Sequence, residues 1–258
     1  MKVSIIMTSY NKPHFVGKAL KAALNQTMGD FELLLMDDNS DEETQRAIRP
    51  FLSDPRVRFY RSRVKTLEER ARKTRYAVLI NRALRLSKGE YITYLTDDNI
   101  YHPRRLERMA AYLDERPDVQ VVYSASVTRY VDERGRILRT VERPALQVTR
   151  MAPCIVDHCS VMHRRSILPE VHRRFGGFWD EDPRYYRLGD ARFFWRLNQL
   201  WPFHPIPEVL DYNYITTVSL HQQMFREEKS ALIRKLPPQK TCRELRESLA
   251  AITGQGGA

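Results

Sequence analysis

Residues 91–100 read YITYLTDDNI, a β-favouring run that ends in two adjacent carboxylates, Asp97 and Asp98, and an amide, Asn99. A second run, FELLLMDDNS over 31–40, ends the same way in Asp37, Asp38 and Asn39. Like charges gathered at one place cost free energy unless a cation or a donor-rich ligand offsets them. Hard oxygen donors at an open site suit Mg2+ or Mn2+, which bind through one or two carboxylates together with substrate phosphates. The chemistry to expect is therefore that of a nucleotide diphosphate and its metal. A plainer reading stands beside it: solvated turn residues or, for Asp97 and Asp98, the N-cap of a helix that starts near Pro103.

That chemistry needs both acidic clusters on one edge, and the chain in front of them supplies the means. KVSIIMT (2–8) predicts an apolar strand, and HFVGKALKAALNQ (14–26) a helix, with Val16, Leu20, Ala23 and Leu24 at helical spacing behind Pro13. Strands follow at 31–37 and 57–62. Ser40 with Glu43 forms a capping box for a helix running toward Leu52, and Thr66 with Glu69 opens another through Leu86, stopped by Lys88-Gly89 before the strand at 91. Such alternation predicts a parallel sheet covered by helices, with ligands beyond the carboxyl ends of the strands. Three polar clusters fall there: TSYNK, MDDNS and TDDN. Further on, a helix over 103–115 leads to two β-rich runs around Glu133-Arg134-Gly135, read as a hairpin, then to a helix carrying Phe193, Phe194, Leu197 and Leu200, and to a charged helical tail from about residue 225.

Composition narrows the classes. The chain has 258 residues, 43 Lys+Arg against 32 Asp+Glu and a net charge of +11, an excess that suits anionic partners without choosing among them. No nucleic-acid motif accompanies it, so no nucleic-acid partner is expected. No GxGxxG or Walker fingerprint is present, which excludes dinucleotide enzymes and P-loop NTPases. No apolar run can cross a bilayer and MKVSIIMTSYNKP is too soon polar for a signal peptide, so a cytoplasmic location is expected; the basic tail leaves peripheral membrane contact open. Cys154, Cys159 and Cys242 are too sparse for a disulfide framework and predict reduced thiols, and no zinc site is expected around His158.

VSIIMTSYNKPHFVGKAL, LLLMDDNSDEET, KGEYITYLTDDNIY and LGDARFFWR resemble the successive signatures of family 2 glycosyltransferases with the GT-A fold. DDNSDEET, TDDNIY, DHCSVMHR and GDARFFWR resemble its spore coat polysaccharide branch in particular. The resemblance implies an α/β GT-A domain over 1–258, with a nucleotide-sugar half at 1–100 and an acceptor half at 101–258, a UDP- or dTDP-sugar donor, and a glycan or polysaccharide acceptor. It implies that Asp38 accepts from the ring N3 of uracil or thymine, that Thr8, Tyr10 and Lys12 hold base and ribose, and that Arg70 adds a base-side contact. Packing of Tyr10, solvation of Lys12 and a general surface charge at Arg70 remain the rival readings. Thr96 stands where the family's Asp-any-Asp triplet begins, so Asp98 is assigned to the metal and Asp97 to ribose or sugar. The Glu-Asp motif falls on Gly189-Asp190, making Asp190 the catalytic base, with helix capping as its rival role. His158 and His163 are left outside the site as core groups.

Two other classes compete. A haloacid-dehalogenase-type phosphohydrolase would need an acid after the first strand, where Thr8-Ser9-Tyr10 has none. A non-catalytic binder of anionic polymers would explain the charge and would ignore metal.

Overall fold

The computed structural model describes residues 1–132, 136–216 and 230–254. Strands β1 (Val3–Ser9), β2 (Phe31–Asp37), β3 (Val57–Arg61) and β4 (Tyr91–Thr96) pair in parallel in the order β3-β2-β1-β4. Helices α1 (Pro13–Leu24), α2 (Glu42–Ile48), α3 (Leu67–Ala71) and α4 (Arg75–Leu86) connect them. Strand side chains alternate between faces. Val3, Ile5 and Met7 join α1 through Val16 and Leu20, while Ile6 and Leu34 join α4 through Ala77, Ile80 and Ala83. Both faces are covered, so β1 and β2 are buried along their whole length and read as continuous apolar runs. The register pairs Ser9 with Asp37 and Thr8 with Thr96, which starts the three polar loops at one edge.

Beyond β4 come β5 (Asn99–Tyr101), α5 (Arg105–Glu115), β6 (Val121–Val131), β7 (Ile137–Arg143), β8 (Val161–Arg164), α6 (Leu168–Phe175), α7 (Gly189–Asn198), β9 (Phe203–Thr216), α8 (Ala231–Lys235) and α9 (Cys242–Thr253). The sheet continues from β4 through β8, β6 and β9 to β5, with β7 paired to β6. Thus β6 and β7 form the expected antiparallel pair, but the predicted turn at 133–135 lies outside the described residues, as does the tail between 217 and 229.

Three expectations change. The helix expected from Thr66 through Leu86 is two helices: the Thr66–Glu69 capping box forms, but the Thr74 N–H donates to the Glu181 carbonyl (2.9 Å) and its hydroxyl to that of Asp182 (2.8 Å), ending α3 early. Ser40 does not cap α2. Asp41 accepts from the Thr44 N–H (2.8 Å) instead, while the Ser40 hydroxyl accepts from the Asn11 N–H (3.1 Å). After Asp97-Asp98 the chain forms β5 rather than entering a helix, and α5 begins at Arg105 with its Leu106 N–H donating to Gln26 Oε1 (3.0 Å). Arg105 itself is fully buried, donating to Thr93 Oγ1 (2.9 Å) over the Tyr101 ring.

The cysteine expectation is also overturned. Cys154 and Cys242 form a disulfide across a sequence separation of 88, and only Cys159 is a buried free thiol. The start of α9 is brought beside residue 154 by packing of Leu245 with Leu188 and Ala191, a proximity that sequence spacing does not encode. Closing so long a loop is worth about 2–4 kcal/mol. Cys242→Ser is expected to lower the urea midpoint accordingly without reductant, and dithiothreitol should bring the wild type to the same midpoint; an unchanged midpoint would mean the bond contributes nothing.

Candidate functional site

The loops after β1 and β2 are stitched together. Asn11 and Asn39 adopt positive φ, 51° and 60°, a region Asn tolerates better than most residues. Asn11 Oδ1 accepts from the Asp41 N–H (2.9 Å), and Asn39 Nδ2 donates to the Val64 carbonyl (3.0 Å). Asp37, fully buried, serves the turn: it accepts from the Ser40 N–H (3.0 Å) and Gln45 Nε2 (2.8 Å).

Asp38, 3% exposed, carries the densest set of contacts. Its Oδ1 accepts from Ser62 Oγ (2.8 Å) and Arg75 Nη2 (2.7 Å), and its Oδ2 from Arg75 Nε (3.2 Å) and Arg70 Nη1. Burial alone would raise its pKa, but the two guanidinium groups and the hydroxyl hold the carboxyl below its ordinary value. A carboxylate offers about four lone-pair positions, and all are engaged. The break between α3 and α4 makes this possible. In one unbroken helix, residues five apart point in different directions, whereas here Arg70 and Arg75 converge on one carboxylate. The Arg70 guanidinium also lies 3.9 Å above the Tyr10 ring, so Tyr10 and Arg70 belong to the site and Arg70 is buried. Thr8 sits within β1 rather than in the following loop and is buried beside Thr96 in register.

Asp97 and Asp98 lie at the end of β4, one strand over. Asp97 accepts from the Tyr10 N–H (2.8 Å); burial and the adjacent Asp98 push it up to about 7 against the pull of Lys12. Asp98 Oδ1 accepts from Thr96 Oγ1 (2.8 Å), and Oδ2 meets the Lys12 ammonium. Two carboxylates thus share one ammonium, which leaves negative charge to be neutralised. Among the described residues no three His, Cys, Asp or Glu side chains form a metal cage. The donor set fits a cation held by one carboxylate plus ligand oxygens: Asp98 keeps 16% of its side chain exposed and already receives a cationic group.

Asp190 lies in the first turn of α7, where Leu188, not Asp190, is the N-cap. Its half-buried carboxyl is raised above the ordinary value by burial, countered by His158. Tyr76 links this end to the Asp38 end, donating to the Tyr186 carbonyl (3.0 Å) and accepting from the Gly189 N–H (2.9 Å). Tyr186 is pushed up to about 12 by burial and then by the negative charge of Asp38. A Cβ at Gly189 would stand 2.6 Å from the Tyr76 hydroxyl, which explains why this chain has no Glu there.

Sequence reasoning missed Arg75 and His158. His158 packs against the Tyr94 and Trp179 rings as a core group does, but its buried Nε2 has no hydrogen-bond partner among the described residues, and burial lowers its pKa while Asp190, Asp157 and Asp98 counter the shift. His163 does behave as a core group, with Nε2 2.8 Å from the Tyr94 hydroxyl and Nδ1 2.9 Å from the Arg164 carbonyl. The only sequence signal for His158 was its place in DHCSVMHR; nothing in the spacing marked Arg75.

Residues 4–170 match the family model described as Glycosyl transferase family 2. Protein CgeD of Bacillus subtilis is 47% identical over 215 residues, 83% of this chain and 50% of CgeD. The putative glycosyltransferase EpsE of the same organism is 31% identical over 169 residues, 64% of this chain and 57% of EpsE. The chain therefore spans about half the length of these curated relatives. Among solved structures, S. aureus TarS in complex with UDP-GlcNAc superposes with a TM-score of 0.62 at 15% identity, covering 98% of this chain and 66% of that one. The mannosyltransferase PcManGT of Pyrobaculum calidifontis, in complex with GDP-Man and Mn2+, gives 0.57 at 16% identity, covering 100% of this chain and 76% of that one. The fold is of the GT-A type, and no helix among the described residues is long and apolar enough to cross a membrane.

The Asp38 cluster sets a pH dependence. A carboxyl held below its unfolded value of about 3.9 stabilises the fold fully above that value and loses its contribution as pH falls through the folded value. Asp38→Ala leaves two buried guanidinium groups unpaired and should cost about 3–5 kcal/mol at pH 7. Urea unfolding between pH 7 and 2 should show the two proteins converging in acid; a constant gap would contradict the ion-pair account.

Proposed function

The chain belongs to glycosyl transferase family 2, and from that premise we propose that it is a metal-assisted, inverting transferase that moves a sugar from a UDP- or dTDP-sugar to a glycan or polysaccharide acceptor. The observation that carries this reading is the proximity of three groups: Asp38 with its arginines and Asp98 with Lys12 at the carboxyl ends of β2 and β4, and Asp190 in the first turn of α7, beside His158 and linked to them through Tyr76. Likeness of the chain's longer motifs to spore coat polysaccharide transferases supports a place in spore coat or other cell-surface polysaccharide synthesis.

In this reading Tyr10 and Arg70 form the nucleobase platform, Asp38 supplies its polar recognition, and Thr8 shapes the floor. Lys12 brings positive charge to the diphosphate. Asp98 would hold Mg2+ or Mn2+, which when bound neutralises charge on the departing diphosphate. Asp97, fixed by the Tyr10 N–H, faces the ribose or sugar. Asp190 takes the proton of the acceptor hydroxyl as that oxygen bonds to the anomeric carbon and the bond to the diphosphate breaks on the opposite face. Burial makes Asp190 a stronger base than an exposed Asp, and His158 beside it opposes that shift.

Calorimetry with UDP tests the donor site. Mn2+ should strengthen binding and EDTA reverse the gain, while Asp98→Ala should lose the metal effect; salt-sensitive, metal-indifferent binding in both proteins would favour the anionic-polymer reading. For the base, Asp190→Asn should lower turnover of a UDP-sugar by about 100- to 10,000-fold with UDP affinity nearly unchanged. Full turnover in that variant would return Asp190 to a structural role.

A further inference from the structure

We propose that Arg75 is a latch on the nucleobase site: it occupies the acceptor positions of Asp38 at rest and must withdraw before Asp38 can accept a ring N–H. The inference rests on the nucleotide-sugar reading of this site. Asp38 has no free acceptor position, because Ser62, Arg70 and both nitrogens of the Arg75 fork take all four. Of these partners Arg70 is the least free to leave, since it also bonds the Asp38 backbone carbonyl and stacks on Tyr10. Ser62 is held in its own turn, its N–H donating to the Asp37 carbonyl (2.8 Å) and its hydroxyl accepting from the Val64 N–H (3.4 Å). Arg75 has no other hydrogen bond among the described residues.

Room for the movement exists. A cavity of about 320 Å³ adjoins Arg75, and Ser62, Glu69 and Arg82 also line it. Glu69 uses Oε2 to cap α3, accepting from the Thr66 (3.0 Å) and Lys65 (2.8 Å) N–H groups, and has Oε1 left over to receive a guanidinium. Arg63 and Arg82 on the same wall repel a third positive charge, so the latched position on Asp38 is the resting one. The nucleotide then binds a minor state, and its apparent affinity is reduced by that state's population.

The test measures UDP binding by calorimetry with Mn2+ present. Arg75→Gln removes the latch and should tighten UDP by about three- to tenfold, whereas UDP methylated at N3, which has no N–H to offer, should show no gain. Arg75→Lys, able to reach only one oxygen at a time, should show a smaller gain in the same direction and serves if the Gln variant folds poorly. Glu69→Gln keeps an oxygen for the cap but removes the charge that receives Arg75, and should weaken UDP. Weaker or unchanged UDP binding in both Arg75 variants would overturn the latch and make Arg75 a fixed support or a direct base contact. A wild type that binds no UDP at all would remove the nucleotide reading, and the latch with it.

Discussion

Carboxylates buried at the carboxyl edge of a parallel sheet must be compensated, and the way this chain compensates them governs the surrounding architecture. Asp37, Asp38, Asp97 and Asp98 arrive there because β1, β2 and β4 are in register and apolar on both faces. Each is neutralised differently. Asp37 is held by its own turn, by Gln45 and by an ion pair with Arg61 of β3 at 3.7 Å, Asp38 draws two arginines from separate helices, and the Asp97–Asp98 pair shares a single ammonium. The first is structural. The second is locally over-compensated, and the third is under-compensated. This gradient of charge balance separates the proposed recognition end from the proposed cation-receiving end.

The two cores divide the same labour. On one face α1 and α5 pack against Val3, Ile5 and Met7; on the other, α4 and α7 pack against Ile6 and Leu34, with Trp179 stacked on Phe193 at 4.8 Å. The second face also carries the machinery: α4 begins with Arg75 and Tyr76, and α7 with Gly189 and Asp190. Tyr76 and Gly189 are mutually dependent, since the hydroxyl fills the space that a side chain at 189 would need. The proposed base-recognition residue Arg75 and the proposed catalytic carboxylate are thereby tied to one helix–helix contact.

The disulfide adds a covalent tie near the same end. Cys154, at φ 62°, lies three residues before Asp157, and its bond to the start of α9 anchors the segment that delivers Asp157 and His158. Helix α9 is thus coupled to the His158 end of the cluster, although it contributes no charged group to it.

The first four strands, their parallel pairing and the edge on which TSYNK, MDDNS and TDDN meet were legible in the sequence, because strand faces and helix spacing are local consequences of where apolar residues recur, whereas the strand order and strands β5, β8 and β9 were not. The acidic pairs and the Thr66–Glu69 cap were legible for the same reason. What the tertiary structure alone decided involves partners distant along the chain. Residues 181–182 break the helix at Thr74 and so aim Arg75 at Asp38; Cys242 reaches Cys154; Arg105 turns inward; and His158, unlike His163, is left without a partner at Nε2. Local spacing records which groups the chain carries, but a buried charge finds its partner only when separate elements pack.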